Sequence, residues 1–83
     1  MYYVYILKSL KDDKHYIGFT ENLERRIKEH NEGKTKSIIN RRPFKLIYSE
    51  KYDNLDDAIK REKKIKSYKG GRAFRDLISG GVA

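Results

Sequence analysis

Five side chains in this sequence, gathered in one place, would have the makings of hydrolytic chemistry on an anionic substrate: Tyr5, Tyr16, Arg26, His30 and Glu62. A guanidinium grips a phosphate oxygen through its planar fork. A histidine or a phenol can move a proton. A carboxylate placed where packing wants a hydrophobe must be paired, neutralised or bound to a metal. Taken singly, each has an ordinary reading. Tyr5 and Tyr16 are common strand residues, and a lone His30 is more often structural than catalytic. Arg26 can pack its stem at the edge of the core with its head in water. Glu62 can make a partly exposed salt bridge with Arg61, Lys63 or Lys66. Only the combination is informative, so what matters is which elements would position it.

A first hairpin follows from Tyr2 to Lys8, a nearly continuous aromatic and aliphatic run, the polar stretch Lys11-Asp12-Asp13-Lys14, and a returning strand from His15 to Phe19. If Lys8 pairs with His15, antiparallel register sets Leu7 opposite Tyr16 and Tyr5 opposite Gly18. Tyr5 and Tyr16 then share a face, with Gly18 leaving space above Tyr5. Thr20 or Asn22 caps a helix over 21–32 that Gly33 stops. At about 100° per residue from Leu23, Ile27 lies near +40°, His30 near −20° and Arg26 near −60°, all inward, whereas Arg25 lies near 200° and faces solvent.

Residues 34–42 read as a basic loop ending at Pro43, and Phe44 to Tyr52 as a third strand. Asn54 or Asp53 caps a second helix whose acidic first turn and lysine-rich end suit the helix dipole. Its apolar residues are Leu55, Ala58, Ile59 and Ile65. Measured from Leu55, Glu62 falls at about −20°, in the middle of that stripe. Gly70-Gly71 ends this helix, and Ala73, Phe74, Leu77 and Ile78 predict a short third one. The fold class expected is α+β, a three-stranded sheet flanked by about three helices, in one domain over 1–79 with a fraying tail over 80–83.

Composition narrows the partner. Twenty Lys and Arg against twelve Asp and Glu give a net charge of +8, and such a surface on 83 residues favours a polyanion, with simple solubility as the plainer explanation. No cysteine is present, which excludes disulfides, thiolate metal sites and Cys nucleophiles. No apolar run is long enough to span a bilayer and no signal-peptide pattern opens the chain, so a soluble cytoplasmic protein is expected, monomeric by default.

The chain resembles the GIY-YIG endonuclease superfamily, specifically its small single-domain members related to the N-terminal domain of the excinuclease C subunit. The resemblance runs from Val4-Tyr5-Ile6 through Tyr16-Ile17-Gly18 and Leu23-Glu24-Arg25-Arg26 to Arg61-Glu62-Lys63 and Lys69-Gly70. It implies hydrolysis of DNA phosphodiesters with one divalent metal, Mg²⁺ or Mn²⁺, and a role in repair or recombination. It sets the two motif tyrosines at Tyr5 and Tyr16, the helix arginine at Arg26 and the metal-binding glutamate at Glu62. Some members carry a histidine four residues after the arginine, here His30.

The first motif lacks its leading glycine, and no asparagine follows Asn54, where many members have one supporting the site. An ion held by one carboxylate and otherwise by water and phosphate suits Mg²⁺. Tyr5 is the expected base, with a pKa drawn down by nearby positive charge, and Tyr16 orients water or phosphate. His30 accepts a phenolic proton or bonds the phosphate. Lys34, Lys36, Arg41, Arg42 and Lys45, with Lys60, Lys64, Lys69 and Arg72, would track a DNA backbone. The alternatives are a nucleic-acid-binding module that keeps the fold with weak catalysis, and a protein-interaction domain.

Overall fold

The computed structural model describes residues 1–34 and 36–80. The chain runs β1 (Tyr2–Ser9), β2 (His15–Thr20), α1 (Leu23–Asn31), a 3₁₀ segment (Lys36–Arg41), β3 (Phe44–Tyr52), α2 (Leu55–Ser67) and α3 (Arg72–Gly80). All strand pairs are antiparallel and β1 is central, in the order β2-β1-β3. The expected α+β architecture is the one observed.

The continuous apolar run of β1 has a simple cause: its strand is covered on both faces. Val4 and Ile6 join Ala58, Ile65 and Phe74 in a core beneath α2 and α3. Tyr5 and Leu7 join Ile38 and Phe44 in a second core on the other face, with Leu23 and Ile27 of α1 packed against it. The two helical layers therefore sandwich the sheet. Pairing with β3 shifts register between Ile6 and Leu7, so that Ile6 faces Tyr48 and Leu7 faces Leu46. The extra residue, Ile47, joins Tyr48 against the α2 side.

The starts of α1 and α2 are capped by asparagine. Asn22 Oδ1 accepts from the Arg25 N–H at 3.0 Å, and Asn54 Oδ1 accepts from the Asp57 N–H at 2.9 Å. Gly33 follows α1 with φ +83°, the left-handed stop expected of it. The basic segment read as loop instead contains the 3₁₀ turn, which buries Ile38 to 4% exposure in the core with Tyr5. Its aperiodic sequence hides this because one tight turn needs a single apolar anchor. The helix expected to run up to Gly70 ends at Ser67, where Lys69 and Gly70 both take positive φ. Gly80 closes α3, and the rest of the expected fraying tail lies outside the described residues.

Candidate active site

The hairpin register brings the first pair of residues together. Lys8 faces His15, Leu7 faces Tyr16 and Tyr5 faces Gly18, the register expected if Lys8 pairs with His15. Tyr5 and Tyr16 become diagonal neighbours, with ring centroids 6.3 Å apart. Gly18 matters through what crosses it. A Cβ built there would lie 2.6 Å from Tyr5 Oη and 2.8 Å from its Cζ. The space above Gly18 is filled by the phenol itself.

Helix α1 supplies the next two groups from the same face. His30 is fully buried, and its Nε2 lies 3.0 Å from Tyr5 Oη. Tyr16 meets the imidazole edge-on at 5.0 Å. Arg26 is partly exposed and anchored by Glu29, with Nη1 donating to Oε1 at 3.2 Å. Arg25 is exposed, as its helical phase requires.

The electrostatics of this cluster differ from a simple expectation. Burial pushes the Tyr5 phenol up to about 12; a hydrogen bond from Arg26 pulls the other way but does not prevail. Arg26 was expected to bring the phenol down, and the low-dielectric surroundings outweigh it because Tyr5 is only 1% exposed. Burial, and then the charge of Arg26, hold the His30 imidazole below its ordinary value, with Glu29 opposing them. A protonated phenol thus stands beside a neutral imidazole, and in the tautomer that leaves Nε2 without a proton the Tyr5 O–H donates to it.

Glu62 comes from the opposite layer, yet its charge reaches Tyr5 and contributes to the phenol's rise. The α2 stripe is not where Leu55 suggested. Leu55, at the first turn, is 40% exposed, and the buried line runs through Ala58 and Ile65. Glu62 lies about 50° from that line. It sits on the flank of the stripe, with its side chain 14% exposed and its Oε2 3.5 Å from Lys66 Nζ. Of the three cations expected to pair with it, Lys66 does so.

Arg61 turns away to Glu50 on β3, donating from Nε at 2.8 Å and from its second terminal nitrogen at 2.9 Å. Tyr52 donates to the same carboxylate at 2.6 Å, and Tyr48 also donates to it. Burial would raise Glu50, but Arg61 and the two phenols hold it below the usual carboxylate range. This cluster ties α2 to β3. Its partners are eleven residues apart with no shared periodicity, which leaves no local signal in the sequence.

The basic residues expected to track a nucleic acid are divided between the two layers. Lys34, Lys36 and Arg42 are exposed near the end of α1 and the 3₁₀ segment, Lys45 is exposed on β3 between the inward-facing Phe44 and Leu46, and Lys60, Lys64, Lys69 and Arg72 are exposed on α2 and after it. Several also hold structure. Arg41 pairs with Asp12 at 3.5 Å, Lys34 with Glu32 at 3.7 Å and Arg72 with Asp76 at 3.9 Å. Arg42 Nε donates to the Ile39 carbonyl at 2.9 Å.

A concavity of about 600 Å³ lies elsewhere, lined by Tyr3, Leu23, Ile27 and Leu46 and edged by Glu21 and Glu24. It contains none of the clustered groups, and its carboxylates would repel phosphate. Among the described residues, no three His, Cys, Asp or Glu side chains gather as a metal cage. The donor on offer is the Glu62 carboxylate, which fits an ion that keeps water and takes phosphate oxygens. No helix among the described residues is long and apolar enough to cross a membrane.

Comparison with known proteins points the same way as the motifs. A family model described as the GIY-YIG catalytic domain matches residues 1–72. A UPF0213 protein of Staphylococcus saprophyticus is 40% identical over 81 residues, covering 96% of each chain. One from Clostridium perfringens is 51% identical over 67 residues, covering 80% of this chain and 71% of its own. The solution NMR structure of the UPF0213 protein BH0048 from Bacillus halodurans superposes with a TM-score of 0.60 at 36% identity, covering 95% of this chain and 84% of that one.

Proposed function

Since the chain belongs to the GIY-YIG family of nucleases, we propose that it is a divalent-metal-dependent endonuclease that hydrolyses DNA phosphodiester bonds, in repair or recombination, at the Tyr5, Tyr16, Arg26, His30 and Glu62 cluster. The observation that carries this reading is the Tyr5–His30 hydrogen bond beneath the partly exposed Arg26. A buried histidine needs a hydrogen-bond partner for stability alone; what favours chemistry is that a partly exposed guanidinium bonds the same phenol.

Hydrolysis requires a deprotonated water and neutralisation of charge on the phosphorane-like transition state. Arg26 meets the second need by bonding a non-bridging phosphate oxygen, and Glu29 fixes the guanidinium for the task. Tyr5 meets the first as a relay. Its oxygen takes a proton from water while its own proton passes to His30 Nε2, leaving a neutral phenol and an imidazolium. That route never needs a free phenolate, which a pKa of about 12 disfavours at neutral pH. Tyr16, more exposed, orients the water or phosphate over Tyr5. Glu62 would hold the metal ion, Mg²⁺ or Mn²⁺, which when bound supplies Lewis-acid stabilisation at the phosphate and the leaving oxygen.

The exposed lysines and arginines give salt-sensitive affinity for the DNA backbone. The test is a cleavage assay on supercoiled, branched and flapped DNA with Mg²⁺ and Mn²⁺ titrated separately. Metal-dependent products are expected from the native chain and not from Glu62→Ala. Binding without cleavage at any metal concentration would instead favour the nucleic-acid-binding module.

A further inference from the structure

The ion pair on Glu62 has a consequence for the order in which the site fills. Glu62 Oε2 lies 3.5 Å from Lys66 Nζ, one helical turn further along α2. A divalent ion held by Glu62 would compete with this ammonium for the carboxylate, because two cations close together on it repel one another. The ammonium can leave easily, since the Lys66 side chain is 53% exposed and gives up little solvation or packing. Glu62 followed four residues later by lysine is also the favourable order on a helix, so the pair forms whenever nothing stronger competes. A DNA phosphate on the same flank of α2 offers the ammonium an alternative anion, and it brings oxygen ligands of its own for the ion.

Resting on the assignment of Glu62 as the metal ligand, we infer that Lys66 is a positioning residue that occupies Glu62 in the DNA-free protein and releases it to the ion when a substrate phosphate draws the ammonium away. Metal loading is thereby gated by substrate. DNA and the divalent ion bind with positive coupling, and each raises the affinity of the other by the same factor. The gate also weakens recruitment of a divalent ion where there is no phosphodiester to cut.

Mn²⁺ binding to the DNA-free full chain, followed by the electron paramagnetic resonance of free Mn²⁺, tests this without any reading of activity. An exposed pair of this kind is worth a small factor, so Lys66→Met should bind Mn²⁺ roughly two- to five-fold more tightly than the native chain. Lys66→Arg, which keeps the cation, should behave as native. Lys63→Met, which removes the same charge from the same helix without touching the pair, should leave the affinity unchanged. Ca²⁺ should tighten binding of a fluorescent duplex, read by anisotropy at fixed ionic strength, and tighten it less in Lys66→Met. If Lys66→Met binds Mn²⁺ no more tightly than native while Glu62→Gln loses it, the role of Lys66 is overturned and Glu62 stands. If Lys63→Met gains as much as Lys66→Met, bulk charge explains the effect and the gate is overturned. Mn²⁺ affinity unaffected by Glu62→Gln would instead overturn the assignment of Glu62, and the gate with it.

Discussion

Gly18 shows how one missing side chain sets the site. A methyl there would overlap the Tyr5 ring, whose oxygen and Cζ lie within 2.8 Å of where it would stand, and Tyr16 Cε1 at 3.3 Å blocks the other side. Tyr5 is buried and cannot swing into solvent. Gly18→Ala should cost about 1–3 kcal/mol of stability by overpacking, measured by urea unfolding, and should lengthen or break the Tyr5–His30 bond. The proton relay adds a pH prediction. Burial and Arg26 lower the His30 pKa from 6.5, so the folded state resists protonation of the imidazole that the unfolded chain accepts. That stability is present above the ordinary histidine value and is lost as pH falls through the folded one. The cleavage rate should rise with pH along a single limb below 6.5, as neutral His30 becomes available, and should not wait for ionisation of a phenol. A rate that keeps climbing through and beyond neutrality with no plateau would assign the base to a Tyr5 phenolate, whose pKa is about 12. The neighbours of these groups were legible in the sequence, since β-register and helical phase are geometric. The direction of the Tyr5 shift was not, because it depends on cover from Ile38 and α1, which no local pattern announces.

At the scale of elements, what joins the layers is polar as well as apolar. Asn31, the last residue of α1, donates to the Phe44 carbonyl at 3.2 Å and accepts from the Phe44 N–H at 2.6 Å, fastening the helix that carries Arg26 and His30 to the start of β3. Ser9 does similar work at the hairpin, donating to the Arg41 carbonyl at 2.6 Å and so fixing the 3₁₀ segment. On the other face the Glu50–Arg61 pair, with both side chains about three-quarters or more buried, holds the helix that carries Glu62. Glu50→Gln leaves the Arg61 charge without its counterion and should cost about 2–3 kcal/mol. A lower urea midpoint at unchanged slope would show this, and joint replacement by Leu and Met should recover much of the loss. Strands, caps and the glycine stop could be read from the sequence because each has a local signature. The Asn31, Ser9 and Glu50 ties could not, since each joins residues that only the tertiary fold makes neighbours. The true phase of α2 was hidden for a related reason: Leu55 looks like part of the stripe, but a first-turn residue need not be covered.

For the molecule as a whole, the sheet divides the work. One layer offers a phenol, an imidazole and a guanidinium; the other offers a carboxylate at the flank of α2. β2 forms an edge of the sheet where Gly18 lets Tyr5 cross it, and the charge of Glu62 reaches Tyr5 from the other layer. A basic chain of this size can bind DNA in many ways, so affinity alone does not identify the site. The two adjacent arginines of α1 give the sharper test. They share charge, size and helix, and differ in direction: Arg26 lies against Tyr5 and Glu29, whereas Arg25 faces solvent. The decisive measurement is the single-turnover cleavage rate, at saturating enzyme and metal, of Arg26→Ala and Arg25→Ala beside the native chain. Loss of transition-state stabilisation predicts a fall of about 10²-fold or more for Arg26→Ala and little change for Arg25→Ala, whereas equal rates for the two variants, or no cleavage by the native chain, would contradict the account.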